Sequence, residues 1–207
     1  MPKGILGRKI GMTCVYREGM QIPVTAIEVQ PNPVVQVKTA DSRDGYDALQ
    51  LGYGKKSPRQ VTQPMQGHYK RAGVDPKRVL REFRGMTGFE VGQEVKAADI
   101  FEQGDLVMVR GTSRGRGFAG VIKRHGFGGH KATHGTHESF RGPGGISSSA
   151  DPARVHKGTK LPGQMGNKTV SVKNLEVIEL IDDKNLILVS GAIPGTTNSI
   201  VEILKAE

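Results

Sequence analysis

Residues 169–181, TVSVKNLEVIELI, are the stretch on which the fold turns. Apolar side chains fall at Val170, Val172, Leu175 and Val177, then change phase at Ile178, Leu180 and Ile181. Such β-branched alternation predicts a strand. A turn at 182–185 (DDKN) leads into a second run, 186–189 (LILV). After a loop at 191–198 containing Pro194-Gly195, a last strand is expected at 200–204 (IVEIL). The opening of the chain reads the same way. Runs at 12–16, 21–30 (QIPVTAIEVQ), 34–39 and 48–53 are short, apolar and separated by Gly, Pro, Asp and Ser. Pro23 within the second run suggests a sheet edge or a strand start. Residues 78–84 (RVLREFR) and 106–110 (LVMVR) add two more strands, and the polar stretch 57–73 leaves room for one short helix near 65–71. Many short strands at even spacing predict a mainly β fold, an antiparallel barrel or sandwich. Strands at both chain ends imply one β domain, 1–207, built from both ends, with a long insertion between them.

The insertion carries the charge. The chain has 207 residues and a net charge of +10, from 30 Lys and Arg against 20 Asp and Glu. Between Arg110 and Lys173 there are twelve basic side chains and two acids, Glu138 and Asp151, so this segment alone accounts for the +10. It also holds 14 of the 29 glycines and five of the six histidines. The rest of the chain is electroneutral. Residues 125–145 (HGFGGHKATHGTHESFRGPGG) contain almost nothing that could enter a core. Such a segment cannot offset its ordering entropy by apolar burial and needs a partner. Twelve cations predict a polyanion. Glycines let backbone approach phosphates closely, while Arg planes and His or Phe rings can stack on unpaired bases.

Several function classes are excluded or weakened. A lone Cys14, expected as a small buried strand residue, rules out an internal disulfide framework and a multi-cysteine zinc site. No apolar run reaches the roughly 18–20 residues of a membrane span, and the N-terminus lacks the pattern of a secretory signal. A soluble, cytosolic-type protein is expected.

Three sharper chemistries match residues of the insertion only in part. Gly115-Arg116-Gly117-Phe118-Ala119-Gly120 fits the dinucleotide fingerprint and follows a strand. The helix expected after it, 118–125 with Phe118, Val121 and Ile122 as anchors, stops at Gly126, and no second strand leads to Glu138. His125, His130, His134, His137 and His156 suggest a metal, yet Glu138 is the sole nearby carboxylate and no cysteine is close. Ser147, Ser148, Ser149 and Asp151 beside histidines are a composition without triad geometry. No catalytic residue, metal ligand or cofactor site is expected. A general duplex-DNA binder is disfavoured because no recognition helix of useful length is present.

At this point four landmarks can be placed together. They are 111–124 (GTSRGRGFAGVIKR), 4–13 (GILGRKIGMT), 161–167 (LPGQMGN) and 188–195 (LVSGAIPG). In this order they resemble the bacterial large-subunit ribosomal protein L three family across nearly the whole chain. One departure is Met108, where the family often has Asp or Asn. The resemblance implies a six-stranded antiparallel β-barrel with a few short helices and a basic extension, 112–168, threading between rRNA helices toward the peptidyl transferase centre. It implies direct binding near the 3′ end of large-subunit (23S) rRNA, a role in nucleating assembly, neighbouring ribosomal proteins as partners, no membrane and a cytoplasmic location in the ribosome. Gln164 occupies the position that a dedicated glutamine methyltransferase converts to N5-methylglutamine in several bacteria; an unmodified glutamine hydrogen-bonded to RNA is the other reading. Phosphate contacts are expected from Arg114, Arg116, Lys123, Arg124, Lys131, Arg141, Arg154, Lys157, Lys160 and Lys168. Stacking or groove contacts are expected from His125, His130, His134, His137, Phe127 and Phe140, and Lys3, Arg8 and Lys9 form a second basic patch.

Overall fold

The computed structural model describes residues 3–42, 44–146 and 150–206. The chain divides into two compact units, one running to Ser113 and resuming at Thr169, the other spanning Arg114–Lys168. Twelve strands occur among the described residues: β1 (Gly4–Arg17), β2 (Met20–Glu28), β3 (Asn32–Lys38), β4 (Ala48–Lys55), β5 (Lys77–Arg84), β6 (Glu94–Val95), β7 (Leu106–Thr112), β8 (Gly117–Ala119), β9 (Gly163–Met165), β10 (Thr169–Ile181), β11 (Leu186–Ser190) and β12 (Ile200–Lys205). Two α-helices join them, α1 (Gln63–Ala72) and α2 (Val121–His125).

Six strands pair antiparallel in the order β1-β12-β7-β10-β11-β2, and β2 returns to β1, so the sheet closes into a barrel. Closure removes the free edges that an open sheet of β-branched strands would present. Six strands enclose a narrow interior, filled by Ile5, Ile27, Val109, Ile187, Val201 and Ile203, all 0–1% exposed. There is no room to spare: a β-carbon on Gly7 would lie 2.7 Å from Ile27 Cγ2. The long β10 bends around this small circumference through two register shifts. One lies between Val172 and Leu175, where Asn174 takes a left-handed φ of 57°; the other, between Val177 and Glu179, coincides with the phase change in the sequence.

The early strands do not all enter the barrel. β3 and β4 leave it to form a second sheet, β5-β4-β3-β6, whose apolar face shares one core with the barrel through Leu6, Leu49, Leu51 and Phe83. Sequence periodicity marks a strand and not its sheet, so it could not separate the two groups. Pro23 sits one residue past the last β2–β11 pair, Val24–Ser190, and its carbonyl accepts from the Gly191 amide at 2.8 Å. Cys14 is half-buried in the β1–β2 hairpin, with its thiol 3.9 Å from the Tyr16 hydroxyl, which corrects the expectation of a core cysteine. Pro64 lies in the first turn of α1, where its missing N–H breaks no helical hydrogen bond, and Gly73 closes the helix at φ 66°.

Surface ion pairs on this unit predict its acid response. Lys38 Nζ lies 3.0 Å from Glu82 Oε1, and Lys205 Nζ lies 2.6 Å from Asp105 Oδ2. The Lys38 hydrogen bond holds Glu82 below the usual carboxylate range, and Lys205, then the Glu102 backbone N–H, do the same for Asp105. A depressed folded pKa gives stability that is present above the ordinary carboxylate pKa and is lost as pH falls through the folded value. The thermal midpoint is therefore expected to drop below about pH 4, and to drop less in a Glu82→Gln/Asp105→Asn double variant. Equal drops in the two proteins would refute this source of acid sensitivity.

Candidate nucleic-acid interface

The Arg114–Lys168 unit is organised by one short strand pair and little else. β8 lies antiparallel to β9, with Gly117 opposite Met165, Phe118 opposite Gln164 and Ala119 opposite Gly163. The Arg116 amide donates to the Met165 carbonyl at 2.9 Å. This close crossing requires glycine: a β-carbon on Gly166 (φ 71°) would lie 2.0 Å from the Arg114 carbonyl oxygen. α2 follows at once and is stopped by Gly126 in the left-handed conformation, φ 75°. Only Ala119 and Val121 are buried among the described residues of this unit.

Phe118 corrects the sequence reading. It belongs to β8 and not to the helix, and at 79% exposure it anchors nothing. In the ribbon it stands directly across from the exposed Gln164, whose Nε2 makes one long contact, 3.4 Å, to the Met165 carbonyl. A second backbone tie, from the His130 amide to the Phe140 carbonyl at 2.9 Å, brings the glycine-rich ends of the central loop together. Phe127, His130 and the backbone of Gly128, Gly129, Gly142 and Gly144 line a shallow groove of about 360 Å³ there. The rings of His125 and Phe127 lie 6.2 Å apart, tilted.

The expected phosphate ligands separate into two kinds. Arg114, Arg116, Lys123, Lys131, Arg141, Lys157 and Lys160 are exposed, and among the described residues none has a carboxylate partner. Arg154 and Lys168 are also exposed but engaged with protein groups. His130, His134 and His137 are exposed, His134 at a left-handed φ of 58°. Arg124 and His125 differ. Arg124 Nη1 donates to the Leu161 carbonyl, which His125 Nε2 also meets at 3.1 Å, and the guanidinium occupies the space beside Gly163 where a β-carbon would lie 2.9 Å from Nη1. These two residues clamp the helix to the strand that follows.

The second basic patch is similarly occupied. Arg8 Nε donates to Glu28 Oε2 at 2.8 Å, a contact that raises its pKa, and Lys9 Nζ donates to the carbonyls of Ile193 and Gly195 at 2.9 and 3.1 Å. Lys3 is exposed at the entry to β1. No sequence signal distinguishes such tethered cations from free ones, since their acceptors are distant along the chain.

The alternative chemistries find no geometry here. Gly117 begins β8 at φ 68° and Gly120 precedes a helix of five residues, so the fingerprint glycines do not form a strand–turn–helix cradle. Among the described residues no group of three or more His, Cys, Asp or Glu could hold a metal ion. Ser147, Ser148 and Ser149 lie outside the described residues. Among the described residues no helix is long and apolar enough to cross a membrane.

Comparison with known proteins bears on the same segments. A family model described as Ribosomal protein L3 matches residues 85–185. The large ribosomal subunit protein uL3 of Syntrophus aciditrophicus (strain SB) is 52% identical over 209 residues, covering 100% of this chain and 94% of the relative. Its namesake in Persephonella marina is 49% identical over 208 residues, with 100% and 91% covered, and that of Oceanobacillus iheyensis is 50% identical over 209, with 100% and 98% covered. Identity near one half over essentially the full length of the chain shows that it belongs to the ribosomal protein uL3 family.

Proposed function

We propose that this chain is a structural constituent of the large ribosomal subunit, and not an enzyme, working in the cytoplasmic ribosome among neighbouring ribosomal proteins. It binds large-subunit (23S) rRNA directly near the 3′ end and helps nucleate assembly. The insertion, 112–168, is the arm that enters the RNA and extends toward the peptidyl transferase centre. One observation carries this reading: among the described residues, seven exposed cations without carboxylate partners stand on a unit that buries only Ala119 and Val121. Protein alone leaves that charge uncompensated; phosphate satisfies it and releases counterions. The Phe127–His130 groove, floored by glycine backbone, suits an unpaired base stacked on a ring. Gln164, exposed on β9, is the proposed substrate of a glutamine methyltransferase, and intact-mass measurement of the native protein tests for the added methyl group.

The test of RNA binding separates free from tethered cations. Arg114→Ala/Arg116→Ala is expected to lower the salt slope of rRNA binding by about 1.4 units, at roughly 0.7 per single-strand phosphate contact, and to leave the thermal midpoint unchanged. Arg124→Ala is expected to loosen the α2–β9 clamp first, seen as faster amide exchange at 121–125. An unchanged slope in the double variant would overturn Arg114 and Arg116 as phosphate ligands.

A further inference from the structure

The body outside the insertion carries 20 basic and 18 acidic side chains, a small excess that is unevenly distributed. β5 lies across the outer face of the barrel and carries Arg78 and Arg81 toward β7 and β12, where Arg110 and Glu202 stand directly opposite each other. Arg81 Nε donates to Glu202 Oε1 at 2.9 Å, and Arg110 Nη1 lies 3.7 Å from Glu202 Oε2. One carboxylate thus serves two guanidiniums. A concavity opens on each side of this bridge. The one of about 310 Å³ is balanced, with Arg84 and Arg110 against Glu82 and Glu202. The other, about 340 Å³, sets Arg78, Arg81 and Arg110 against Glu202 alone. Arg78 has no carboxylate partner among the described residues.

We propose that this second cleft is an anion site on the barrel unit that holds a phosphodiester of RNA, a site distinct from the cations of the insertion. The proposal rests on the rRNA-binding reading above and deepens it. Two features favour a phosphate over any neutral occupant. The lining carries two uncompensated positive charges, and guanidinium forks match the geometry of phosphate oxygens. The remaining polar side chains of the lining, Thr112, Thr169, Asn198 and Ser199, supply uncharged donors of the kind that hydrogen-bond sugar and phosphate oxygens. Thr112 closes β7 and Thr169 opens β10, the strand ends by which the chain leaves and re-enters the barrel. The balanced neighbouring concavity, sharing the same bridge, serves as an internal control.

The experiment measures binding of a large-subunit rRNA fragment to the full chain across a salt series. Arg78→Ala/Arg110→Ala is expected to reduce the salt slope by about one to two units, whereas Arg78→Lys/Arg110→Lys keeps the slope because charge is retained. Arg84→Ala, in the balanced concavity, leaves it unchanged. An unaltered slope in Arg78→Ala/Arg110→Ala, beside a reduced slope in Arg114→Ala/Arg116→Ala, overturns the cleft while the rRNA-binding reading stands. Unaltered slopes in both pairs overturn both. If the slope is unaltered but the cleft variant fails to enter large subunits, the cleft docks an acidic protein segment and the RNA assignment falls. Should loss of Arg110 lower the thermal midpoint, the single variant Arg78→Ala carries the test, with an expected decrease of about one unit.

Discussion

Gly166→Ala will open the strand pair at the root of the insertion and leave the barrel intact. The new β-carbon would stand 2.0 Å from the Arg114 carbonyl oxygen and 3.1 Å from Gly115 Cα. Both are backbone atoms, so no side-chain rotation relieves the clash. Alanine at a φ of 71° adds left-handed strain of about 1 kcal/mol, and with the displaced backbone the total is about 3 kcal/mol. A unit that buries only Ala119 and Val121 has little reserve against such a loss. Amide exchange at Arg116 and within β8 and β9 should accelerate by about a hundredfold, while barrel amides such as Val109 and Ile203 keep their protection. Loss of the Arg116–Met165 hydrogen bond would displace Arg116, and rRNA affinity should fall at least about tenfold. Unchanged protection at β8 and β9 would disprove the crossing as the element that organises this segment.

The second large effect concerns the barrel. Ile203 is fully buried, opposite Ile5 on β1 and Val109 on β7. Truncating it leaves a void that a closed six-stranded ring cannot collapse onto, so Ile203→Ala should cost about 3–4 kcal/mol. At this chain length that lowers the thermal midpoint by about 10 °C, whereas Ile203→Val should cost about 1 kcal/mol. Phe118→Ala is the contrast. It removes a larger side chain that is 79% exposed and should leave the midpoint within a degree or two while weakening RNA binding. A midpoint shift for Ile203→Ala below about 2 °C would contradict a tightly filled barrel interior.

Strand positions were legible because alternation is local: β10 spans Thr169–Ile181 as its pattern indicates, and β5 and β7 lie where RVLREFR and LVMVR put them. Even the bulge near Ile178 left a mark in the phase of the apolar residues. The stop of α2 was legible too, since Gly126 accepts the left-handed conformation that ends a helix. Phe118 was misread because a single aromatic beside a short helix carries no period. The two- and three-residue strands β6, β8 and β9 are too short to show alternation at all.

By itself the sequence determined the class of fold, the family, and the location of the charge, since all three depend on composition and on patterns along the chain. Partnership required the tertiary structure. Arg124 finds Leu161 across 37 positions and Lys9 finds Ile193 across 184, so two side chains expected at RNA also make internal ties. The same long-range pairing splits the N-terminal strands between a barrel and a second sheet, and gathers Arg78, Arg81 and Arg110 around one glutamate. The reason is physical. A side chain's charge is a property of its residue type, but whether that charge remains available to a ligand depends on acceptors brought near only when the chain closes.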